Sequence, residues 1–215
     1  MDRSLGYSTT SDISRIGTAV QRRIRCRLSA WPAKAHPAPA RRHPWRLRSG
    51  RDIMHAMAKI LILYYSGTGN TAKMAEMVHR GVEEEGGVEV GLKKAEDTRL
   101  EDLLEPEGIL VGSPTYYGTM AWQVKKLLDE SVKYHGRLAG KVGGAFSSAG
   151  GMGGGNETTI MNILKALLIH GMIIPGTPSG DHYGPVAVGS PDGRSEENCL
   201  ALGRRTAALV KRLFG

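Results

Sequence analysis

The run Ser66-Gly67-Thr68-Gly69-Asn70-Thr71 gathers three hydroxyls, one amide and two glycines into six residues. It joins the apolar segment Lys59–Tyr64 (KILILY) to a helical pattern, so it is a loop that opens a helix. Backbone N–H groups at such a start, together with the positive end of the helix dipole, favour an anion. Ser66, Thr68, Thr71 and Asn70 add neutral donors, and no Lys or Arg lies in the loop. That donor set suits a terminal monophosphate. Two other phosphate-binding patterns compete. A Walker loop needs Gly-Lys-Ser/Thr, which is absent. A dinucleotide fingerprint, G-x-G-x-x-G/A, is matched by Gly67, Gly69 and Ala72, with Glu89 and Glu96 at plausible distances for a ribose contact. The hydroxyl density decides between them, because pyrophosphate loops keep side chains small so that the backbone can approach. An ordinary glycine-rich turn would not need these hydroxyls.

The elements that must position this loop alternate along residues 57–215. Strand signals fall at 59–64, 88–93, 108–112, 141–147 and 172–175. Helical patterns fall at 71–85, 120–132, 157–170 and 195–213, with a short one at 98–104. Val124, Leu127 and Leu128 face inward on the second of these, and Ile160, Ile163, Leu164, Leu167 and Leu168 on the third. Such alternation predicts an α/β fold with a doubly wound parallel sheet, helices on both faces, and ligands at the carboxyl ends of the strands. Of the 29 glycines, 26 lie beyond residue 56, which suggests loops that bring backbone close to a ligand.

The segment Tyr64-Tyr65-Ser66-Gly67-Thr68-Gly69-Asn70-Thr71 resembles the FMN-phosphate loop of flavodoxin-like proteins. The resemblance runs over residues 58–213 and involves two further loops. Gly112-Ser113-Pro114-Thr115-Tyr116-Tyr117-Gly118-Thr119-Met120 is similar to the stretch that meets the flavin ring in WrbA-type NAD(P)H:quinone oxidoreductases. Ser147-Ser148-Ala149-Gly150-Gly151-Met152-Gly153-Gly154-Gly155-Asn156-Glu157-Thr158-Thr159 resembles the glycine-rich loop of the same proteins, with Asn156 where they usually carry Gln. The resemblance implies a flavodoxin-like five-stranded sheet of order 2-1-3-4-5. It also implies FMN held by Ser66, Gly67, Thr68, Gly69, Asn70, Thr71, Pro114, Thr115, Tyr116, Tyr117, Gly118, Ser147, Ser148, Ala149, Gly150, Gly151 and Gly153. A flat flavin ring calls for an aromatic wall, which Tyr116, Tyr117 and Trp122 could supply. Packing within its own helix is the simpler expectation for Trp122. His182 and Tyr183, in a loop after the last expected strand, are candidate catalytic residues that could donate a proton to a quinone oxygen.

Residues 1–56 carry 12 Lys+Arg against 3 Asp+Glu, whereas residues 57–215 carry 17 against 18. The basic pI of the whole chain therefore belongs to the leader, and a nucleic-acid-binding domain is not expected. The leader reads as disordered, because its Arg-, Ser- and Pro-rich composition buries too little apolar surface. Met57-Ala58-Lys59-Ile60 reads as a natural beginning, which makes an upstream start-site artefact the favoured account of the leader over a transit peptide or a tail. Two cysteines, Cys26 and Cys199, make neither a disulfide framework nor a Cys-based metal site. No metal site is expected. The chain reads as cytoplasmic, with no transmembrane segment.

The expected function is transfer of electrons from NAD(P)H through FMN to a quinone or similar acceptor, and the resemblance admits a homo-oligomer. The alternative is a flavodoxin that carries single electrons between protein partners. Carriers of that kind are usually strongly acidic, and a domain at −1 lacks that field. A flavin-free Rossmann protein and a non-catalytic interaction module rank below both.

Overall fold

The computed structural model describes residues 57–215. The expectation of a disordered leader lies outside the described residues. Five parallel strands form the sheet: β1 (Lys59–Tyr64), β2 (Glu89–Lys94), β3 (Gly108–Tyr116), β5 (Val142–Ala149) and β6 (Val186–Val188), in spatial order β2-β1-β3-β5-β6. A two-residue strand β4 (Thr119–Met120) folds back antiparallel on the end of β3. With β4 set aside, the order is 2-1-3-4-5, as the resemblance implied. The helices are α1 (Asn70–Glu85), α2 (Trp122–Glu130), α3 (Asn156–Ile169) and α4 (Gly193–Phe214), with short helical turns at Ala95–Asp97, Leu100–Leu103 and Ser131–Tyr134. No helix among the described residues is long and apolar enough to cross a membrane.

Alternation along the strands builds two cores. Leu61, Leu63, Ile109 and Val111 face one side and pack with Val124 of α2 and Ile160, Ile163 and Leu167 of α3. Ile60, Ile62, Leu110 and Phe146 face the other and pack with Val78 of α1 and Leu202 and Val210 of α4. A strand apolar at every position can be buried on both faces, which is why KILILY reads as a run rather than an alternation. The Phe146 ring occupies the space that a side chain on Gly112 of the neighbouring strand would need. On the same face α1 and α4 meet backbone to backbone. A Cβ on Gly81 would lie 2.2 Å from the Leu200 carbonyl oxygen, and one on Gly203 would lie 2.3 Å from that of Val78. Helix α4 begins at a capping box in which the Asp192 carboxylate accepts from the Ser195 N–H at 2.9 Å and the Ser195 hydroxyl oxygen accepts from the Asp192 N–H at 2.7 Å.

The segment 172–175 is not the fifth strand. It makes a single bridge, Ile173 to Val142, and then leaves the sheet. Pro175, Gly176 and Pro178 account for this, since proline cannot donate to a ladder and glycine weakens one. The chain returns at Pro185, whose carbonyl accepts from the Ser147 N–H at 2.9 Å, and Val186–Val188 completes the sheet. As an edge strand, β6 is closed by side chains. The Val186 N–H donates to Asp181 Oδ2 at 2.9 Å, and Arg194 Nη2 donates to the Val186 carbonyl at 3.1 Å.

Two buried titratable groups give direct tests of this packing. His170 follows α3, is 6% exposed, and pairs through Nε2 with the Ser131 hydroxyl at 2.8 Å, while its Nδ1 has no partner among the described residues. Burial, and then the neighbouring His135, lower its pKa below 6.5. The unfolded chain therefore binds this proton more readily than the native one. Stability is expected to be full above pH 6.5 and to fall as pH drops through that value towards the lower native pKa. Urea midpoints measured from pH 7.5 to pH 5 check this, and His170→Gln is expected to flatten the slope. Cys199 is buried in α4, and burial pushes its thiol up to about 12. In a Cys26→Ser chain, a thiol reagent at pH 8 is expected to label Cys199 only after denaturant is added. Prompt labelling of the native protein would contradict the packing described.

Candidate functional site

Three loops converge at the carboxyl ends of β1, β3 and β5. The first enters α1 through Gly69, at φ 92°. Ser66 Oγ accepts from the N–H of Gly69 at 3.1 Å and of Ala72 at 3.2 Å, holding the turn in shape. The N–H groups of Thr68, Asn70 and Thr71 have no acceptor among the described residues. This leaves an unfilled set of neutral donors at a helix start, with Thr68 exposed beside them.

The second loop is the hairpin from β3 to β4, with Tyr117 at φ 50° and Gly118 at φ 76° in its turn. Two positive φ values are those of a type I′ turn, which matches strand twist. Tyr117 is fully exposed, as a lone loop tyrosine would be. Tyr116 turns back over the first loop. Its hydroxyl stands 2.5 Å from where a Gly67 Cβ would be, and its ring meets Tyr65 edge to face at 6.3 Å. Burial, and then Tyr65, raise the Tyr116 phenol pKa. Trp122 does not pack within its helix and is 66% exposed. It is the first residue of α2, on the side opposite Val124 and Leu127, which face the core.

The third loop is tied to the other two. Ser148 Oγ lies 2.8 Å from Thr71 Oγ1, and Ser147 Oγ lies 3.0 Å from Thr115 Oγ1, which also accepts from Thr159 Oγ1 at 3.0 Å. The Thr158 hydroxyl donates to the Gly118 carbonyl at 2.8 Å. A Cβ on Gly155 would come within 2.8 Å of Gly118 Cα. The Asn156 amide donates to the Ala187 carbonyl at 3.1 Å, while its Oδ1 is buried without a partner.

The expected contact residues therefore divide in two. Gly67, Thr68, Tyr116, Tyr117, Gly150, Gly151 and Gly153 are open, and Ser66, Gly69, Asn70, Pro114, Thr115 and Gly118 are half-buried beside them. Thr71, Ser147, Ser148 and Ala149 are buried; the hydroxyls of Thr71, Ser147 and Ser148 bind one another's loops. Sequence reasoning passed over Gly155, Thr158 and Thr159 as site residues, although Asn156-Glu157-Thr158-Thr159 was the available signal. His182 and Tyr183 precede β6 rather than follow the last strand. His182 Nδ1 donates to the Thr177 carbonyl at 3.0 Å, Tyr183 is exposed, and no hydrogen bond among the described residues joins either to the three loops.

The flavodoxin family model matches residues 62–167. A flavodoxin of Aquifex aeolicus is 42% identical over 162 residues, covering 72% of this chain and 88% of that protein. The chain belongs to the flavodoxin family. An NAD(P)H dehydrogenase (quinone) of Archaeoglobus fulgidus is 34% identical, over 73% of this chain and the whole of that protein. A crystal structure of a flavodoxin, WrbA-like protein from Agrobacterium tumefaciens superposes with a TM-score of 0.62 at 25% identity, over 73% of this chain and 99% of that one. Flavodoxin membership implies FMN, and the donor set fits it. The N–H groups of Thr68, Asn70 and Thr71, which have no acceptor among the described residues, suit the phosphate.

Proposed function

We propose that this flavodoxin carries electrons between redox partners, with FMN held at its phosphate by the first loop and at its ring by the second and third. The observation that carries this reading is the exposed apolar rim of those loops, formed by Tyr117, Trp122 and Met152. Apolar side chains left in water around a redox site are what a transient protein partner covers. The Aquifex flavodoxin, at 42% identity, supports the same reading. Bound FMN supplies reversible uptake and release of electrons, which no side chain of the site offers. The chain's own part is to bind and orient. The Ser66 hydroxyl fixes the first loop, the Thr71–Ser148 contact sets its spacing from the third, and Thr158 fastens the third to the second.

A second reading, an NAD(P)H:quinone oxidoreductase, is favoured by the domain's net charge of −1 and supported by the Archaeoglobus relative. Under it His182, oriented by the Thr177 carbonyl, holds the proton for a quinone oxygen. Steady-state assays of the FMN-loaded full chain separate the two. A carrier is expected to oxidise NADH or NADPH with a quinone no faster than free FMN does, while accepting electrons from a reductase. Turnover well above free FMN, with a pH profile altered by His182→Ala, would replace the carrier reading with the second.

A further inference from the structure

A groove of about 490 Å³ lies between the segment 177–185 and helix α4. None of its lining residues comes from the three loops of the flavin site. Its floor is one face of α4, where Arg194, Asn198, Ala201 and Arg205 recur at helical spacing. Ala201 gives the floor its depth, as a single methyl group between long polar side chains. Ser179 and Asp181 stand on the facing wall.

The three arginines of the groove differ in how they are satisfied. Arg194 is 2.6 Å from Asp181 Oδ1 and also donates to the Val186 carbonyl. Arg204 pairs with Glu84 at 2.7 Å. Arg205 has no ion pair and no hydrogen bond among the described residues, and its Nε is buried without a partner. Burial lowers its pKa. The Asn198 amide, half-buried beside Gly180, also makes no hydrogen bond among the described residues. A guanidinium Nε–H withdrawn from water without an acceptor is costly, while the Nη groups of the same half-buried side chain are not withdrawn and can meet a ligand. Glu197 stands on the rim in solvent, where its repulsion of an anion is screened.

We propose that this groove binds a small phosphate ester, with the phosphate on the Arg205 fork and the Asn198 amide and the ester body along Ala201 towards Ser179. A planar fork matches two phosphate oxygens, and the amide and the Ser179 hydroxyl serve a third. The volume lies within the range of about 300–1,000 Å³ usual for small-molecule sites, enough for a body the size of a mononucleoside. This site is independent of the reading of the flavin loops.

The test is a calorimetric titration of the FMN-loaded full chain with AMP, so that the first loop is already filled; adenosine is the control without phosphate. AMP is expected to bind in the millimolar range or tighter, and adenosine at least about tenfold more weakly. Arg205→Gln is expected to weaken AMP by at least about tenfold while leaving FMN affinity unchanged. Arg205→Lys, which keeps the charge and loses the fork, is expected to fall between. Inorganic phosphate is expected to displace AMP. Equal binding of AMP and adenosine, full AMP affinity in both Arg205 variants, or no binding at about 10 mM AMP would each overturn the proposal. Should the chain fail to load FMN, the comparison of wild type with Arg205→Gln still reports on the groove alone.

Discussion

Gly203→Val is expected to leave the chain without a stable native state. The β-carbon alone would lie 2.3 Å from the Val78 carbonyl oxygen and 2.7 Å from the Val82 nitrogen. Both are backbone atoms inside α1, so no rotamer change relieves the overlap. The two helices would have to separate, and with them the contacts of Val78, Leu202 and Val210 with the sheet. Overpacking of this kind costs about 1–3 kcal/mol where neighbours can yield, and more than about 4 where they cannot. Set against the lower end of the usual total of about 5–15 kcal/mol, the larger figure removes most of the stability. Soluble yield, far-ultraviolet circular dichroism and the urea midpoint check it. Gly193→Ala, at the open start of the same helix with nothing within 4 Å, is the control expected to be nearly neutral. A Gly203→Val protein melting within a few degrees of the parent would show that α1 and α4 do not meet this closely.

The second large effect concerns the cofactor. Gly155→Val is expected to weaken FMN binding by about a hundredfold or more, with the fold retained. Residue 155 sits at φ 100°, where a β-branched side chain is strained by about 1–3 kcal/mol. Its Cβ would also press to 2.8 Å on Gly118 Cα, in the turn of the second loop. Together these push the two loops apart at the point where Thr158 fastens them. A hundredfold corresponds to about 2.7 kcal/mol, within what strain and contact supply. Fluorescence-quenching titration with FMN measures it. Gly67→Ala gives a useful contrast, because its Cβ crowds only the hydroxyl end of Tyr116, which can swing away, and is in ordinary contact with the Tyr65 hydroxyl at 3.7 Å. An FMN affinity in Gly155→Val within threefold of wild type would separate the loop crossing from cofactor binding.

Much of this was readable from residue types. The run KILILY reads as a strand covered on both faces, and Ile160, Ile163, Leu164 and Leu167 form the buried stripe that their spacing predicts, whereas Leu168, also expected inward, is 55% exposed. The first loop declared its donors. What sequence does not declare is which donors meet each other. Thr71, Ser147 and Ser148 read as ligand contacts because a hydroxyl at the end of a strand or the start of a helix looks the same in sequence whether it faces a phosphate or another hydroxyl, and the structure shows the hydroxyl contacts Thr71–Ser148 and Ser147–Thr115. Strand β6 escaped notice because three residues carry no period, while Met172-Ile173-Ile174 is apolar and sits just before its breaker. The β3–β4 hairpin escaped because its turn is Tyr117-Gly118 rather than the Asn-Gly or Asp-Gly that marks such turns. Trp122 was expected to pack within its helix, whereas its angular position on α2 sets it opposite the core-facing residues.

The side-chain closure of β6 bears on how concentrated this protein can become. An open sheet edge is a template on which a second chain can add a strand. Here Asp181 and Arg194 occupy both hydrogen-bonding groups of Val186, so an incoming strand would have to break an ion pair to register. The opposite edge, β2, presents Glu89, Lys93 and Lys94 to solvent, and mixed charges there oppose flat pairing. Both flanks of the sheet thus carry charged side chains that oppose the addition of a further strand.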